Sequence, residues 1–254
     1  MVKELKKTIG AQNVKKQFAR RAKTYNVSAN WITDEGLIRA HRKMAGTPAG
    51  GNNQALELCC GSGVIGKAIL NDGWDVVGVD LTAEMLKLVG NAFPTILANA
   101  EKLPFQENRF DLVIMRQALF LTNARKVLRE AKRVKKRSGS FILSQTVPFS
   151  EADEEWLRRI HLFKQAQMVK FYTENDLENE LAAAGLKLED KTRISVRESI
   201  TRWMANAPEL DKSKREEICS LVLNAPPHYR KTRKVKVCGG EILEDWNWVI
   251  FRAK

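Results

Sequence analysis

The sequence predicts a doubly wound α/β fold built on a mostly parallel seven-stranded sheet, with an antiparallel C-terminal strand. Three observations carry this. The run Ala55-Leu56-Glu57-Leu58-Cys59-Cys60 breaks into Gly61-Ser62-Gly63, as a strand does on entering a tight turn. A second apolar run, Val76-Val77-Gly78-Val79, ends at Asp80. From there to Val147, strand-like runs alternate with helical periodicity at short spacing, and repeated β–α units close into a parallel sheet covered by helices on both faces.

Taken in order, the first strand is Gln54–Cys60. The helix after it puts Val64, Ile65, Ala68 and Ile69 on one face, and Asn71-Asp72-Gly73 stops it. The second strand is Asp75–Asp80. Thr82 is placed to cap the next helix, with Glu84 in its first turn and Met85, Leu86 and Val89 at helical spacing; Pro94 is expected to end it. Thr95–Ala98 and Phe110–Met115 read as the third and fourth strands. A helix from Asn123 aligns Ala124, Val127, Leu128, Ala131 and Val134, with Lys132, Lys135, Lys136 and Arg137 at its C-terminal end, where cations suit the dipole. Ser138-Gly139 then turns into the fifth strand, Ser140–Val147.

After Pro148 the pattern changes. Residues 151–169 read as a helix with Trp156, Ile160 and Phe163 on one face. Thr173, with Asp176 three residues on, caps another helix that turns Leu177 and Leu181 inward and closes at Gly185. Leu186–Val196 holds the sixth strand, and residues 199–229 form an irregular or helical insertion. Val235–Cys238, Gly239-Gly240 and the apolar run Trp246–Phe251 read as a hairpin. One domain is expected: an N-terminal helical lid (1–50), a ligand-binding core (54–147), substrate-side insertions (148–230) and C-terminal strands (231–254).

At 254 residues the chain is long enough for a sizeable core. No apolar run approaches the length of a membrane span, and Met1–Lys7 lacks the apolar segment of a secretory leader. The four cysteines have neither metal-ligand spacing nor a disulfide framework, so no metal is expected. Adjacent Cys59 and Cys60 are expected to be small apolar fillers in a reducing cytoplasm. The net charge is +13. Residues 1–50 alone hold 11 basic and 3 acidic side chains. That surplus suits either a soluble helical face or contact with phosphates.

The glycine turn is formally G-x-G-x-x-G (Gly61 to Gly66), and Asp80 lies where a carboxylate takes two ribose hydroxyls. A dinucleotide and S-adenosylmethionine both fit this description. A dinucleotide sets a pyrophosphate beside the turn, which Glu57 would repel. S-adenosylmethionine carries an ammonium and a sulfonium, which a carboxylate favours. Charge therefore points to the sulfonium cofactor.

Three segments, in order, carry a resemblance: Leu56-Glu57-Leu58-Cys59-Cys60-Gly61-Ser62-Gly63; Val77-Gly78-Val79-Asp80-Leu81-Thr82-Ala83-Glu84-Met85-Leu86; and Ala98-Asn99-Ala100-Glu101-Lys102-Leu103-Pro104-Phe105, followed by Asn108-Arg109-Phe110-Asp111-Leu112-Val113. In these the chain resembles class I S-adenosylmethionine-dependent methyltransferases, in pattern the small-molecule group that includes the ubiquinone/menaquinone methyltransferases. The resemblance implies that Gly61, Ser62 and Gly63 meet the methionine part of the cofactor and Glu57 its ammonium, directly or through water. It further implies that Asp80 takes the ribose, Leu81 and Met85 flank the adenine, Asn99 and Ala100 meet its edge, and Gln117 reaches the sulfonium region. Asn99 stands where the family usually has Asp, and it keeps a carbonyl acceptor while losing a charge. Residues 18–26 resemble the family's lid segment, with Tyr25 a cofactor contact and Asn26 in place of an Asp.

The implied reaction is methyl transfer to a small organic acceptor by in-line displacement, which requires alignment above all. A base is needed only when the acceptor must lose a proton. The candidates are His228, Tyr25 and Tyr172, with His41, His161 and Tyr229 behind them. Trp31, Trp156 and Trp203 lie outside the cofactor segments and are candidates for an apolar or aromatic acceptor pocket. The alternatives are a tRNA or rRNA methyltransferase and a noncatalytic cofactor-binding scaffold. Neither the acceptor atom nor the oligomeric state is encoded in a motif.

Overall fold

The computed structural model of the protein describes residues 2–50 and 53–254, with side chains from Gly10 onward. The reading of Met1–Lys7 lies outside the described side chains. Five parallel strands form most of the sheet: β1 (Gln54–Leu58), β2 (Asp75–Asp80), β3 (Thr95–Leu97), β4 (Phe110–Arg116) and β5 (Lys135–Val147). With β6 (Leu188–Ser199), β7 (Lys236–Cys238) and β8 (Glu241–Ala253) the order is β3-β2-β1-β4-β5-β8-β6, with β8 antiparallel to both its neighbours. The seven strands of this path match the expected sheet. Short β7 is an eighth, added on β8 as a hairpin. The loop between them is Gly239-Gly240, both at positive φ (58° and 79°), the two-residue turn whose twist suits a hairpin.

Strand alternation divides the core. Leu56, Leu58, Val113 and Met115 face one layer; Ala55, Leu112 and Ile114 face the other. The first layer includes α7 (Ala124–Val134) and α9 (Glu174–Ala183); the second includes α4 (Glu35–Ala45) and α5 (Val64–Leu70). Local capping follows the sequence at two helices. Asn123 Oδ1 accepts from Lys126 N at the start of α7, and Thr173 and Asp176 form a reciprocal capping box on α9.

Several expectations are corrected. The Thr82 side chain does not cap α6 (Ala83–Val89); instead its N–H donates to Asp80 Oδ1. That helix ends at Gly90, at φ 66°, before Pro94 is reached. Lys135, Lys136 and Arg137 belong to β5 rather than to the helix end, because Phe110 pairs with Lys135. The helix α8 (Glu151–Lys164) is shorter than expected. It buries Asp153, Leu157, Ile160, His161 and Lys164 and leaves Phe163 exposed. The 199–229 insertion contains three short helices, α10 (Ile200–Ala205), α11 (Lys212–Leu223) and α12 (Pro227–Thr232).

Two polar clusters fix the insertions to the sheet. Arg233 donates to Asp153 on α8 at 2.9 Å and to the Asp245 carbonyl on β8, while the Tyr229 hydroxyl donates to Glu244. The N-terminal segment, α1 (Val2–Arg21), α2 (Tyr25–Ser28) and α3 (Asn30–Thr33), is held by Arg21. Its guanidinium donates to Glu209 and to Gln165 just past α8. Among the described residues, no helix is long and apolar enough to cross a membrane.

Candidate functional site

The strand order reverses direction between β1 and β4, which opens a crevice at the C-terminal ends of the strands. A cleft of about 790 Å³ lies there. The backbone prepares it. Cys59 and Gly61 take positive φ (51° and 55°) as the chain leaves β1, and Gly63 (φ 71°) precedes α5. Gly63 and Gly66 also admit Phe93: a Cβ on either would lie 2.6–2.7 Å from its ring.

Asp80 is the hinge of the site. Its Oδ2 accepts from Gly61 N and its Oδ1 from Thr82 N, each at 2.9 Å, so one carboxylate ties the turn after β1 to the end of β2. Burial raises its pKa, and the donated N–H groups pull it back. Tyr25 packs over Gly61, with its ring 3.7 Å from where a Cβ would stand, and burial pushes its phenol up to about 12. Gln117 sits at φ 49°, held by its side-chain carbonyl accepting from Gln145 Nε2 and Thr146 N (2.9 and 2.8 Å). Such strain is stored at sites that the surrounding structure over-determines.

Of the residues singled out by sequence, Tyr25, Gly61, Asp80, Leu81, Asn99, Ala100 and Gln117 line this cleft. Glu57, Ser62, Gly63 and Met85 stand behind the lining. Glu57 is buried under the turn, where its Oε2 accepts from Gly66 N at 2.9 Å, and desolvation raises its pKa to about 7. The Asn99 side-chain Oδ1 accepts from Glu101 N. Sequence reasoning missed Arg116, which also lines the cleft. Its guanidinium sits 5.1 Å from the centre of the Trp31 ring and, among the described residues, donates to the Trp31 and Ile32 carbonyls alone (3.4 and 3.3 Å). Among the described residues no carboxylate lies within ion-pair distance of it. The only signal was its place at the end of β4, beside Gln117.

A second cavity, of about 530 Å³, adjoins the first and shares Phe18, Tyr25 and Gln117 with it. Trp31 and Trp203 line it. Trp156 does not: its indole N–H donates to the Leu221 carbonyl, and Arg159 covers its ring. His161 and Lys164 of α8 also face this cavity. The remaining base candidates lie elsewhere. His228 is exposed and bonded to the Ala152 carbonyl. Tyr172 packs in the core with Leu177 and Leu181. His41 is enclosed between the Leu37 carbonyl and Ser144 Oγ, both at 2.7 Å, and Tyr229 is tied to Glu244. Among the described residues no group of three or more His, Cys, Asp or Glu is placed to hold a metal ion.

The fold is that of class I S-adenosylmethionine-dependent methyltransferases, and residues 56–143 match a family model described as a methyltransferase domain. Demethylmenaquinone methyltransferase from Tropheryma whipplei is 30% identical over 142 residues, 52% of this chain and 58% of that one. Two uncharacterized proteins of Methanocaldococcus jannaschii are 39% and 41% identical over 69 and 92 residues. The chain covers only 34%, 35% and 58% of the lengths of these three relatives. Among solved structures, the YcgJ protein of Bacillus subtilis has a TM-score of 0.75 at 19% identity, over 85% of this chain and 96% of that one. Geranyl diphosphate C-methyltransferase from Streptomyces coelicolor, solved with S-adenosyl-L-homocysteine, has a TM-score of 0.59 at 14% identity, over 87% of this chain and 79% of that one. At these identities the likeness is one of fold.

Proposed function

We propose that the protein transfers a methyl group from S-adenosylmethionine in the first cleft to a small organic molecule in the second cavity. The supporting observation is that the two cavities meet at Phe18, Tyr25 and Gln117. The donor set of the first cleft fits this cofactor. Asp80 offers carboxylate lone pairs to a ribose diol, Val79, Leu81 and Ala100 supply apolar walls for a flat purine, and Arg116 is a cation awaiting a carboxylate. Asp80 and Glu101, both lining the cleft, oppose a diphosphate; they take over the part first given to Glu57, which is buried behind the turn with its pKa raised to about 7.

When bound, the cofactor supplies an activated methyl carbon on a positively charged sulfur. What the chain contributes is alignment and exclusion of water. Arg116 would hold the amino-acid end of the cofactor and Asp80 its ribose. Gln117, its side chain fixed by β5, and Tyr25, tied to the lid, narrow the passage between the cavities. Tyr25 stays protonated at neutral pH, its phenol being pushed up to about 12, so it donates a hydrogen bond rather than accepting a proton. Trp31 and Trp203 give the acceptor cavity an aromatic wall. The free cysteines, of which Cys60 is buried, support a cytoplasmic location.

Incubation with methyl-labelled cofactor and a metabolite extract tests this reading. Label in a small molecule supports it. Label in added tRNA or rRNA replaces the acceptor class, and absence of label despite S-adenosylhomocysteine binding makes the chain a binding scaffold. Calorimetry showing tight NAD binding and indifference to S-adenosylhomocysteine removes the cofactor assignment altogether.

A further inference from the structure

The second cavity contains an unusual cation. Lys164 is the last residue of α8 and only 5% exposed. Its Nζ lies 4.1 Å from the centre of the Trp203 ring, and among the described residues it has neither a hydrogen-bond partner nor a carboxylate within ion-pair distance. A buried ammonium without a counter-ion is costly, because no anion offsets its desolvation.

Its neighbours do not relieve it. Arg21, on the same cavity, is already engaged by Glu209 and Gln165. His161, one turn back on α8, lies between Trp203 and Trp246, with ring centres 5.3 and 5.2 Å away, and its Nε2 has no partner. Arg21 Nε is likewise buried and unpartnered. Buried polar atoms without partners thus collect around one cavity, where such groups call for an explanation. The charges that act on Lys164 come from four elements: Arg21 on α1, Glu198 on β6, Glu209 in the loop before α11, and Arg215 on α11.

Resting on the methyl-transfer reading, we propose that Lys164 selects the acceptor: the second cavity takes a small carboxylic acid with an apolar or aromatic body, whose carboxylate pairs with the Lys164 ammonium. Trp31, Trp203 and Phe18 hold the body, and the carboxylate supplies the counter-ion that the folded chain leaves out. Burial drives the Lys164 amine well below its ordinary pKa. An arriving carboxylate reverses that shift and draws a proton onto the amine, because the pair is then stabilised in its charged form.

The test uses the protein loaded with S-adenosylhomocysteine and titrates benzoate, phenylacetate and octanoate, each against its primary amide. At least one acid is expected to bind about tenfold or more tightly than its amide. Repeating that titration in buffers of different ionisation heat should show net proton uptake. In Lys164→Met the acid and the amide should bind alike, with S-adenosylhomocysteine affinity unchanged. The proposal is overturned if none of the acids binds, if the amides bind as well as the acids, or if Lys164→Met keeps the preference. The comparison of acid with amide in the unaltered chain stands even if Lys164→Met fails to fold. Failure of S-adenosylhomocysteine itself to bind would refute the methyl-transfer reading instead, which separates the two.

Discussion

Removing the Asp80 carboxylate tests the cofactor site most directly. Asp80→Ala deletes two hydrogen bonds, to Gly61 N and Thr82 N, each 2.9 Å long. Bonds to a charged group contribute about 1.5–3 kcal/mol each, but the site is half-buried and water replaces part of that. The expected stability loss is therefore about 2 kcal/mol, a fall in Tm of about 4–8 °C for a chain of this size. The second effect is on binding. Loss of the ribose contact, together with a loosened glycine turn, should weaken S-adenosylhomocysteine binding about 10–100-fold, or about 1.4–2.8 kcal/mol. Denaturant unfolding measures the first effect and calorimetry on the folded variant the second. A folded Asp80→Ala protein with affinity within about twofold of the original would show that the ligand does not sit against the end of β2.

Three further changes probe neighbouring parts of the site. Glu57 keeps its proton up to about pH 7 in the folded chain, whereas the unfolded carboxyl loses it near 4.5. Between these values the unfolded state binds fewer protons, so stability falls as pH rises, by about 3 kcal/mol in all. Glu57→Gln, which keeps an acceptor for Gly66 N, should flatten this slope and gain stability at pH 8 but not at pH 4; denaturant midpoints across that range would expose an unchanged slope. Gly66→Ala sets a Cβ 2.6 Å from the Phe93 ring and 2.7 Å from Glu57 Oε2, and should cost about 1–3 kcal/mol. The cost should shrink in a Phe93→Leu background, and equal costs in both would mean that Phe93 is not the obstacle. Arg116→Met should lose the preference for S-adenosylhomocysteine over methylthioadenosine, which lacks the carboxylate. A preference left intact in competitive binding would assign the amino-acid end to another residue.

Much of the fold was legible because its signals are local. The apolar run broken by Gly61 and Gly63, the Thr173–Asp176 capping box and the Gly239-Gly240 turn each rest on constraints that act within a few residues: φ sign, side-chain reach and the period of an apolar face. The same holds for the first cleft, where Gly61 just past β1 and Asp80 at the end of β2 are joined by one hydrogen bond. Where local rules competed, the sequence misled. Lys135–Arg137 suit a helix end by charge, yet pairing with β4 draws them into β5. On α8 the sequence put Trp156 and Phe163 on the inner face with Ile160; Ile160 is buried there, but its companions are Leu157, His161 and Lys164.

By itself, then, the sequence determined the βα order, the glycine turn after β1 and most of the expected residues that line the first cleft, since each follows from nearest-neighbour sterics and hydrogen bonding. Only the tertiary structure decided the second cavity. Phe18 and Tyr25 lie far along the chain from Gln117, Lys164 and Trp203. They meet because Arg21 ties the N-terminal helices to Glu209 and Gln165, while Arg233 ties α8 to Asp245 on the sheet. No periodicity reveals which buried lysine is left without an anion, because that depends on where every other carboxylate has been placed.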